Sequence, residues 1–97
     1  MPLFMFIAFD KKIGGAALRA VTRPHHVEYT KSNGKVKFGG PFTASDDSMI
    51  GSFSIIEAAD YDEAQAYVKN DPYVLAGLFE RQELHPWKLS INSFEKV

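Results

Sequence analysis

Four stretches of the chain carry apolar residues in patterns that are typical of β-strands. Leu3–Phe9 is a short, nearly continuous apolar run, as expected for a strand buried on both faces. Lys35–Phe38 alternates polar and apolar side chains, which indicates a half-buried strand. Met49–Ala58 is a third strand, and Glu80–Leu89 is a fourth, in which Pro86 indicates a sheet edge or a bulge.

A first helix is predicted from the residues that would start and stop it. Pro24 suits the first position of a helix because its missing N–H is not needed there. The helix would run from Pro24 to about Ser32 and end at Asn33-Gly34, which is a good stop signal. Residues 16–21 have helix-forming composition, but the segment is too short to be assigned on that basis.

A second helix is predicted after the third strand. Asp60 begins a capping box that opens a helix over Tyr61–Lys69. Its core stripe follows the spacing i, i+3, i+4 and consists of Ala64, Tyr67 and Val68. Asp71-Pro72 then restarts a short helical piece through Leu78.

The order strand, helix, strand, strand, helix, strand is the βαββαβ arrangement of ferredoxin-like α+β domains. It predicts an antiparallel sheet with the helices on one face. The other face would be wet in a monomer, so we expect a homodimer or a higher homo-oligomer of the dimeric α+β barrel type. The length of 97 residues favours one domain over residues 1–97.

Composition narrows the class of partner. The formal net charge is −1 with acids and bases interspersed, so we expect neither nucleic acid nor a membrane surface as a partner. The chain has no cysteine, which fits a reducing compartment. The apolar start at Met1–Ile7 lacks a basic region and Asp10 soon follows, so we interpret it as a strand and not as a signal peptide. A cytoplasmic protein is expected.

His26 is the candidate general base. In the first turn of a helix begun by Pro24, unpaired N–H groups and the helix dipole would keep its imidazole neutral. The alternative is a surface or half-buried histidine without a role. His25 points about 100° away around the helix, so the two would not serve one site. Adjacent histidines without a third ligand make a metal site weak, and none is expected.

Three charged residues have both structural and functional interpretations. Asp71 is a helix cap before Pro72, and its second oxygen could also orient an imidazole. Arg23 could bind a substrate carboxylate through its planar fork, or be an exposed charge. Asp10 ends a buried strand beside a glycine-rich loop, and binding and catalytic residues are often found on such loops. Alternatively, Asp10 simply starts a turn.

Glycines and aromatic residues add weaker signals. Gly39-Gly40-Pro41 predicts a bend or a bulge, which could also let a ligand approach the backbone. Gly51 marks a bulge or a close approach of two backbones. Tyr73, Phe42 and Trp87 could line a pocket or belong to the core.

Taken together, these motifs resemble the YCII-related (YciI-like) family. The residues that carry the resemblance are Asp10, Arg23-Pro24-His25-His26, Gly40-Pro41 and Asp71-Pro72-Tyr73, in that order along nearly the whole chain. His26, not His25, occupies the family's histidine position. The chain departs from the pattern by a short segment between His26 and Gly40 and by Trp87 near its end.

The resemblance implies a ferredoxin-like dimer with a cleft that contains a His–Asp pair. Relatives include a dehydrochlorinase that acts on a chlorinated hydroxyhydroquinone, and muconolactone isomerases share the fold. His26 is carried over as the base and Asp71 as its carboxylate partner, although Asp10 also belongs to the pattern. The expected substrate contacts are Asp10, Arg23, Gly40, Pro41 and Tyr73.

The hypothesis is a small cofactor-independent lyase or isomerase that moves a proton on a small anionic, cyclic or aromatic-derived molecule. The competing interpretation is a non-catalytic binding or dimerisation module, in which the same cleft holds a metabolite or nothing.

Overall fold

Residues 1–94 form one four-stranded antiparallel sheet and three helices. In a computed structural model that describes residues 1–94, the elements are β1 (Leu3–Asp10), α1 (Gly15–Asn33), β2 (Val36–Thr43), β3 (Met49–Glu57), α2 (Tyr61–Lys69), α3 (Pro72–Leu75) and β4 (Phe79–Trp87). The strand order is β2-β3-β1-β4, and every neighbouring pair is antiparallel. This is the ferredoxin-like α+β architecture, so the predicted fold class is confirmed.

Strand β1 is buried on one face, so the expectation of burial on both faces is wrong. Its side chains alternate between buried and half-exposed along the whole strand. The buried members that join the core are Phe4, Phe6 and Ala8, and they pack with the predicted α2 stripe of Ala64, Tyr67 and Val68. The opposite face carries Leu3, Met5, Ile7 and Phe9, which remain half-exposed because no helix of residues 1–94 covers them.

Helix α1 begins nine residues earlier than predicted. It starts at Gly15, after Gly14 with a left-handed φ of 78°, and Pro24 lies inside it. The proline ring removes one internal hydrogen bond, but the rest of the helix continues on both sides. The C-terminal stop is confirmed, since Gly34 has a φ of 68° and donates its N–H to the Thr30 carbonyl. No helix within residues 1–94 is both long and apolar enough to cross a membrane.

The predicted bend at Gly39-Gly40-Pro41 is wrong, because β2 runs straight through it. These residues pair in register with Ser54, Phe53 and Ser52, and the bulges lie on either side of them, at Val36/Phe38 and Phe42/Thr43. A proline is tolerated here because β2 is an edge strand. Pro86 also lies on an edge strand, β4, as the sequence predicted.

The close approach predicted at Gly51 is confirmed. A Cβ atom added there would lie 2.1 Å from the Phe42 ring and 2.4 Å from the Ala8 carbonyl oxygen. Both distances are far inside van der Waals contact, so only glycine fits at this position.

The helices after β3 agree with the sequence. The Asp60 side chain caps α2 by accepting from the Glu63 N–H at 2.8 Å. Asp71 caps α3, which ends at Leu75, three residues earlier than expected. Helix α3 packs against α1 and so brings two distant parts of the sequence together.

Candidate active site

One face of α1 lines a cleft between the helices and the sheet. The cleft is lined by side chains that follow one another every three or four residues along α1, namely Arg19, Arg23, His26 and Thr30. That spacing places side chains on one face of an α-helix. The cleft measures about 710 Å³ with the solvent at its mouth included, which is in the range that accommodates a small organic molecule.

The other walls of the cleft are mainly apolar. They include Phe6, Val36, Ile56, Val68 and Phe79. Of the catalytic and substrate-binding residues predicted from the sequence, those that line the cleft are Arg23, His26, Gly40, Pro41, Asp71 and Tyr73. Asp10, Phe42 and Trp87 do not line it. Instead, the rings of Phe42 and Trp87 pack edge-on against Phe9 and Phe38, respectively.

His26 and Asp71 meet although 45 residues separate them in sequence. The His26 Nδ1 atom lies 3.0 Å from both carboxylate oxygens of Asp71. A carboxylate only accepts, so Nδ1 is the donor in this contact; in the neutral imidazole this arrangement leaves the lone pair on Nε2. The His26 side chain is 28% exposed and that of Asp71 is 11% exposed, so the imidazole is partly open and its partner is shielded.

Asp71 performs both of the tasks that the sequence left open. Its Oδ1 accepts the Tyr73 N–H at 2.8 Å, which caps α3. The same carboxylate accepts from His26, so the cap fixes the position of the acceptor. Helix capping and histidine orientation are therefore compatible in one side chain.

The electrostatic argument for His26 from a helix N-terminus is wrong. Because α1 begins at Gly15, His26 lies well inside the helix, away from the unpaired N–H groups of its first turn. The Asp71 carboxylate and the Tyr73 ring are its actual surroundings. The Tyr73 ring stacks on the imidazole with centroids 4.1 Å apart and planes inclined by 19°. His25 is exposed and does not line the cleft.

A buried ion pair lies behind the cleft. Arg19 donates to Asp10 through Nε at 2.7 Å and through Nη2 at 2.8 Å, and Nη2 also donates to the Ser52 hydroxyl at 2.8 Å. Burial lowers the pKa of Arg19, but the contacts with Asp10 and, to a smaller extent, with Tyr73 together outweigh burial and raise it. Asp10 therefore does not line the cleft itself, but it contacts Arg19, which does.

Arg19 also connects this ion pair to the histidine. Its guanidinium carbon lies 4.7 Å from the centroid of the Tyr73 ring, in the geometry of a cation–π contact. Burial raises the pKa of Tyr73, the nearby charges of Arg19 and Arg23 lower it, and Asp71 raises it. Tyr73 is 2% exposed, so it is a fixed support between Arg19 and His26.

Sequence reasoning missed Arg19, and the reason is the position of Pro24. With the helix begun at Pro24, Arg19 lay in an unassigned segment. A continuous helix would have placed it one turn before Arg23 on the face of His26. The helical spacing was therefore the signal. Arg23 itself is exposed at the cleft, as the sequence allowed.

No three metal-ligating side chains (histidine, cysteine, aspartate or glutamate) come together anywhere in residues 1–94. The pair of His26 and Asp71 has no third such neighbour in this part of the chain. Its geometry is that of an oriented imidazole.

The fold and the site together define an α+β protein with a His–Asp pair in a cleft beside the sheet. The chain belongs to the YCII-related domain family, whose model matches residues 3–88. Protein YciI of Escherichia coli O6:H1 is 30% identical over 95 residues, which cover 89% of this chain and 96% of that protein.

Solved structures extend the comparison. The 5-chloro-2-hydroxyhydroquinone dehydrochlorinase (TftG) of Burkholderia phenoliruptrix AC1100, in complex with 2,5-dihydroxybenzoquinone, has a TM-score of 0.83 and 32% sequence identity. The match covers 91% of this chain and 95% of that one. Rv0793 of Mycobacterium tuberculosis has a TM-score of 0.60 at 12% identity, covers 96% of this chain and 99% of that one, and shares the fold alone.

Proposed function

We propose that this chain is a cofactor-independent enzyme of the lyase or isomerase type that moves a proton on a small anionic ring. The observation that carries the proposal is the His26 imidazole, held through Nδ1 by Asp71 at the edge of a cleft. An imidazole oriented in this way has its Nε2 lone pair available as a general base. The dehydrochlorinase that resembles this chain, solved with a dihydroxybenzoquinone, supports a ring compound as the substrate class.

In the proposed step, Nε2 of His26 takes a proton from an O–H or C–H bond of the substrate. The electron pair of that bond passes into the ring system. In a lyase, the proton returns to the ring carbon that bears the leaving group, and deprotonation of a second ring hydroxyl then expels an anion such as chloride, so that HCl is lost overall. In an isomerase, the ring takes the proton back at another atom. Both routes balance without an oxidant or a reductant.

The surrounding residues have distinct roles in this proposal. The Asp71 carboxylate stabilises the imidazolium that forms when His26 takes the proton. The guanidinium of Arg23, exposed at the cleft, binds an anionic oxygen of the substrate. Tyr73 supports the imidazole by stacking. Gly40 and Pro41 in β2 form a wall without a bulky side chain, against which the ring lies.

Chloride release from 5-chloro-2-hydroxyhydroquinone tests this function. The wild type is expected to release chloride faster than a protein-free control. His26→Gln should lose about 10²- to 10⁴-fold in turnover, which is the usual contribution of a general base. His25→Gln is the matched control and should keep the wild-type rate, because His25 lies outside the cleft.

Equal turnover by His26→Gln and the wild type would contradict the catalytic role. If the wild type binds 2,5-dihydroxybenzoquinone but turns over no chlorinated ring, the cleft belongs to a non-catalytic binding module. That outcome would favour the competing interpretation.

We also propose that the open face of the sheet mediates a homodimer. This face carries the half-exposed Leu3, Met5, Ile7 and Phe9 of β1. Phe38 of β2 is 49% exposed and lies in the same cross-strand row as Met5, with Ile55 of β3 between them. Contiguous exposed apolar surface of this kind marks an interaction site. Sedimentation should show a dimer for the wild type and a monomer for Ile7→Lys. Ile13→Lys is the control, since Ile13 is an exposed loop residue, and it should sediment as the wild type does. A monomeric wild type would refute the dimer.

A further inference from the structure

Two serine side chains lie on the sheet side of the cleft and have no role in the proposed proton transfer. Ser52 and Ser54 of β3 both line the cleft, and both are half-buried. Their partners in β1 are Ala8 and Phe6, which belong to the core under the helices. Paired residues of an antiparallel sheet point to the same face, so the two serine side chains also point toward the helices.

The Ser52 hydroxyl has a proton to donate. Arg19 donates to its oxygen through Nη2 at 2.8 Å, and a guanidinium has no lone pair with which to accept. Ser52 is therefore the acceptor in this contact, and its own O–H makes no hydrogen bond within residues 1–94. Asp10 accepts from the same Nη2 atom at 2.8 Å, so the neighbour of the serine oxygen is held in place. The Ser52 proton can therefore be donated to a ligand in the cleft.

The Ser54 hydroxyl lies beside a position without a side chain. It makes no hydrogen bond within residues 1–94, although the residue is only half-buried. Its partner in β2 is Gly39, where an added Cβ atom would lie 2.7 Å from the Ser54 Cβ atom. That distance is far inside van der Waals contact, so β2 cannot place a side chain next to Ser54. A glycine within a strand often marks a place where a ligand approaches closely.

The spacing of the two serines determines how many ligand oxygens they bind. Residues two apart on a strand are separated by about 7 Å, which exceeds twice the usual O–H···O distance of about 2.8 Å. One ligand oxygen therefore cannot bond both hydroxyls. The adjoining wall at Gly40 and Pro41 has no bulky side chain, and these residues pair with Phe53 and Ser52 of β3. A ring that lies against this wall has its edge next to the two serines.

We propose that Ser52 and Ser54 bind two oxygen substituents of a ring that lies against β2. Ser52 donates a hydrogen bond to one oxygen, while Ser54 donates to or accepts from the other, so it suits a carbonyl or a hydroxyl group. The inference rests on the proposed function and narrows its substrate class to rings with at least two oxygen substituents. The serines are specificity-determining residues, and His26 remains the base.

Binding of 2,5-dihydroxybenzoquinone, measured by calorimetry, tests the serine pair. Ser54→Ala and Ser52→Ala each remove one hydroxyl and should weaken binding roughly two- to tenfold, as the loss of a neutral hydrogen bond does. The double variant should weaken binding by the product of the two factors, because each hydroxyl binds a separate oxygen. Ser90→Ala is the matched control, because Ser90 is exposed and lies outside the cleft, and it should bind as the wild type does.

Thermal unfolding without ligand separates binding from a structural role. Ser54→Ala should keep the Tm of the wild type, because its hydroxyl bonds no group within residues 1–94. Ser52→Ala should unfold at a lower temperature, since the buried Arg19 loses an acceptor. A lower Tm of Ser54→Ala together with weaker binding would show a structural hydroxyl and overturn its role in binding.

The remaining outcomes distinguish the serine pair from the base. Unchanged affinity in Ser52→Ala and Ser54→Ala would overturn the pair, while a loss of turnover in His26→Gln would still support the base. A double variant that binds no more weakly than either single variant would refute the two separate oxygens. A wild type that does not bind the probe would overturn both the serine pair and the proposed substrate class. Full turnover by His26→Gln with weakened binding in Ser54→Ala would refute only the base.

Discussion

Replacing Asp71 by asparagine or by alanine separates its capping role from its role beside His26. Asparagine keeps a side-chain oxygen that can accept the Tyr73 N–H, now 2.8 Å from Oδ1, so α3 remains capped. It removes the negative charge that lies 3.0 Å from His26 Nδ1. Alanine removes the cap and the charge together. The two variants are therefore expected to differ in stability and to agree in their loss of activity.

The stability difference follows from the contacts. Loss of the cap costs about 1 kcal/mol. Loss of a charged hydrogen bond costs about 1.5–3 kcal/mol, and the lower end applies because the His26 side chain is 28% exposed. Asp71→Ala should lose about 2–3 kcal/mol, which lowers Tm by roughly 10–20 °C in a domain of this size. Asp71→Asn keeps the cap and a neutral acceptor for Nδ1, so it should lose only the difference between a charged and a neutral hydrogen bond, about 1 kcal/mol.

Turnover should respond differently from stability. Without the carboxylate, the imidazolium formed at His26 loses its charge partner, so both variants should lose about 10²- to 10⁴-fold in turnover. Chloride release from 5-chloro-2-hydroxyhydroquinone and thermal unfolding measure the two quantities on the same samples. Wild-type turnover in Asp71→Asn would refute the reasoning, because Asp71 would then be a cap and nothing more.

Three further predictions concern the fold around the site. Gly51→Ala should unfold about 1–3 kcal/mol more easily in denaturant titrations, because the new Cβ atom would clash with the Phe42 ring; an unchanged midpoint would contradict this. Asp10→Ala should lose about 3–5 kcal/mol by the same measurement, since it leaves the charge of Arg19 buried and unpaired, and a loss below 1 kcal/mol would show that the pair is dispensable. Burial raises the pKa of Tyr29 to about 12, with Tyr67 and Asp71 adding to the rise, so stability should be full below pH 10 and fall as pH rises from 10 to 12. Tyr29→Phe should show a smaller fall, and equal curves would refute the assignment.

The sequence predicted the second half of the chain well because local signals there agree with the packing. The capping box at Asp60 and the apolar stripe of α2 both indicate Tyr61–Lys69, and the structure has those bounds. The Asp71-Pro72 start of α3 is correct for the same reason. In each case the capping residue predicted from the sequence is the residue that caps the helix in the structure.

The first half shows where local signals fail. Pro24 is a good helix starter, but α1 already begins at Gly15 and continues through it. The buried pair of Arg19 with Asp10 holds the additional turns to the sheet, and this contact between distant residues cannot be recognised from local composition. Similarly, Gly39–Pro41 has turn composition but lies in an edge strand, where pairing with β3 keeps it extended.

The candidate site was only partly predictable. The family pattern selected His26 and Asp71, and the contact between α1 and α3 brings them together. The helix-dipole argument for His26 was wrong, since the carboxylate and the Tyr73 ring form its surroundings.

The tautomer of His26 tests the central claim most directly. Nitrogen-15 NMR distinguishes a protonated Nδ1 from a protonated Nε2 in a neutral imidazole, and a His26→Gln variant assigns the signal among the three histidines of the chain. The account predicts that Nδ1 carries the proton in the wild type, because Asp71 accepts it, and that Asp71→Ala loses this preference. A neutral His26 protonated on Nε2 in the wild type would contradict the account, since no lone pair would then be available at the proposed base.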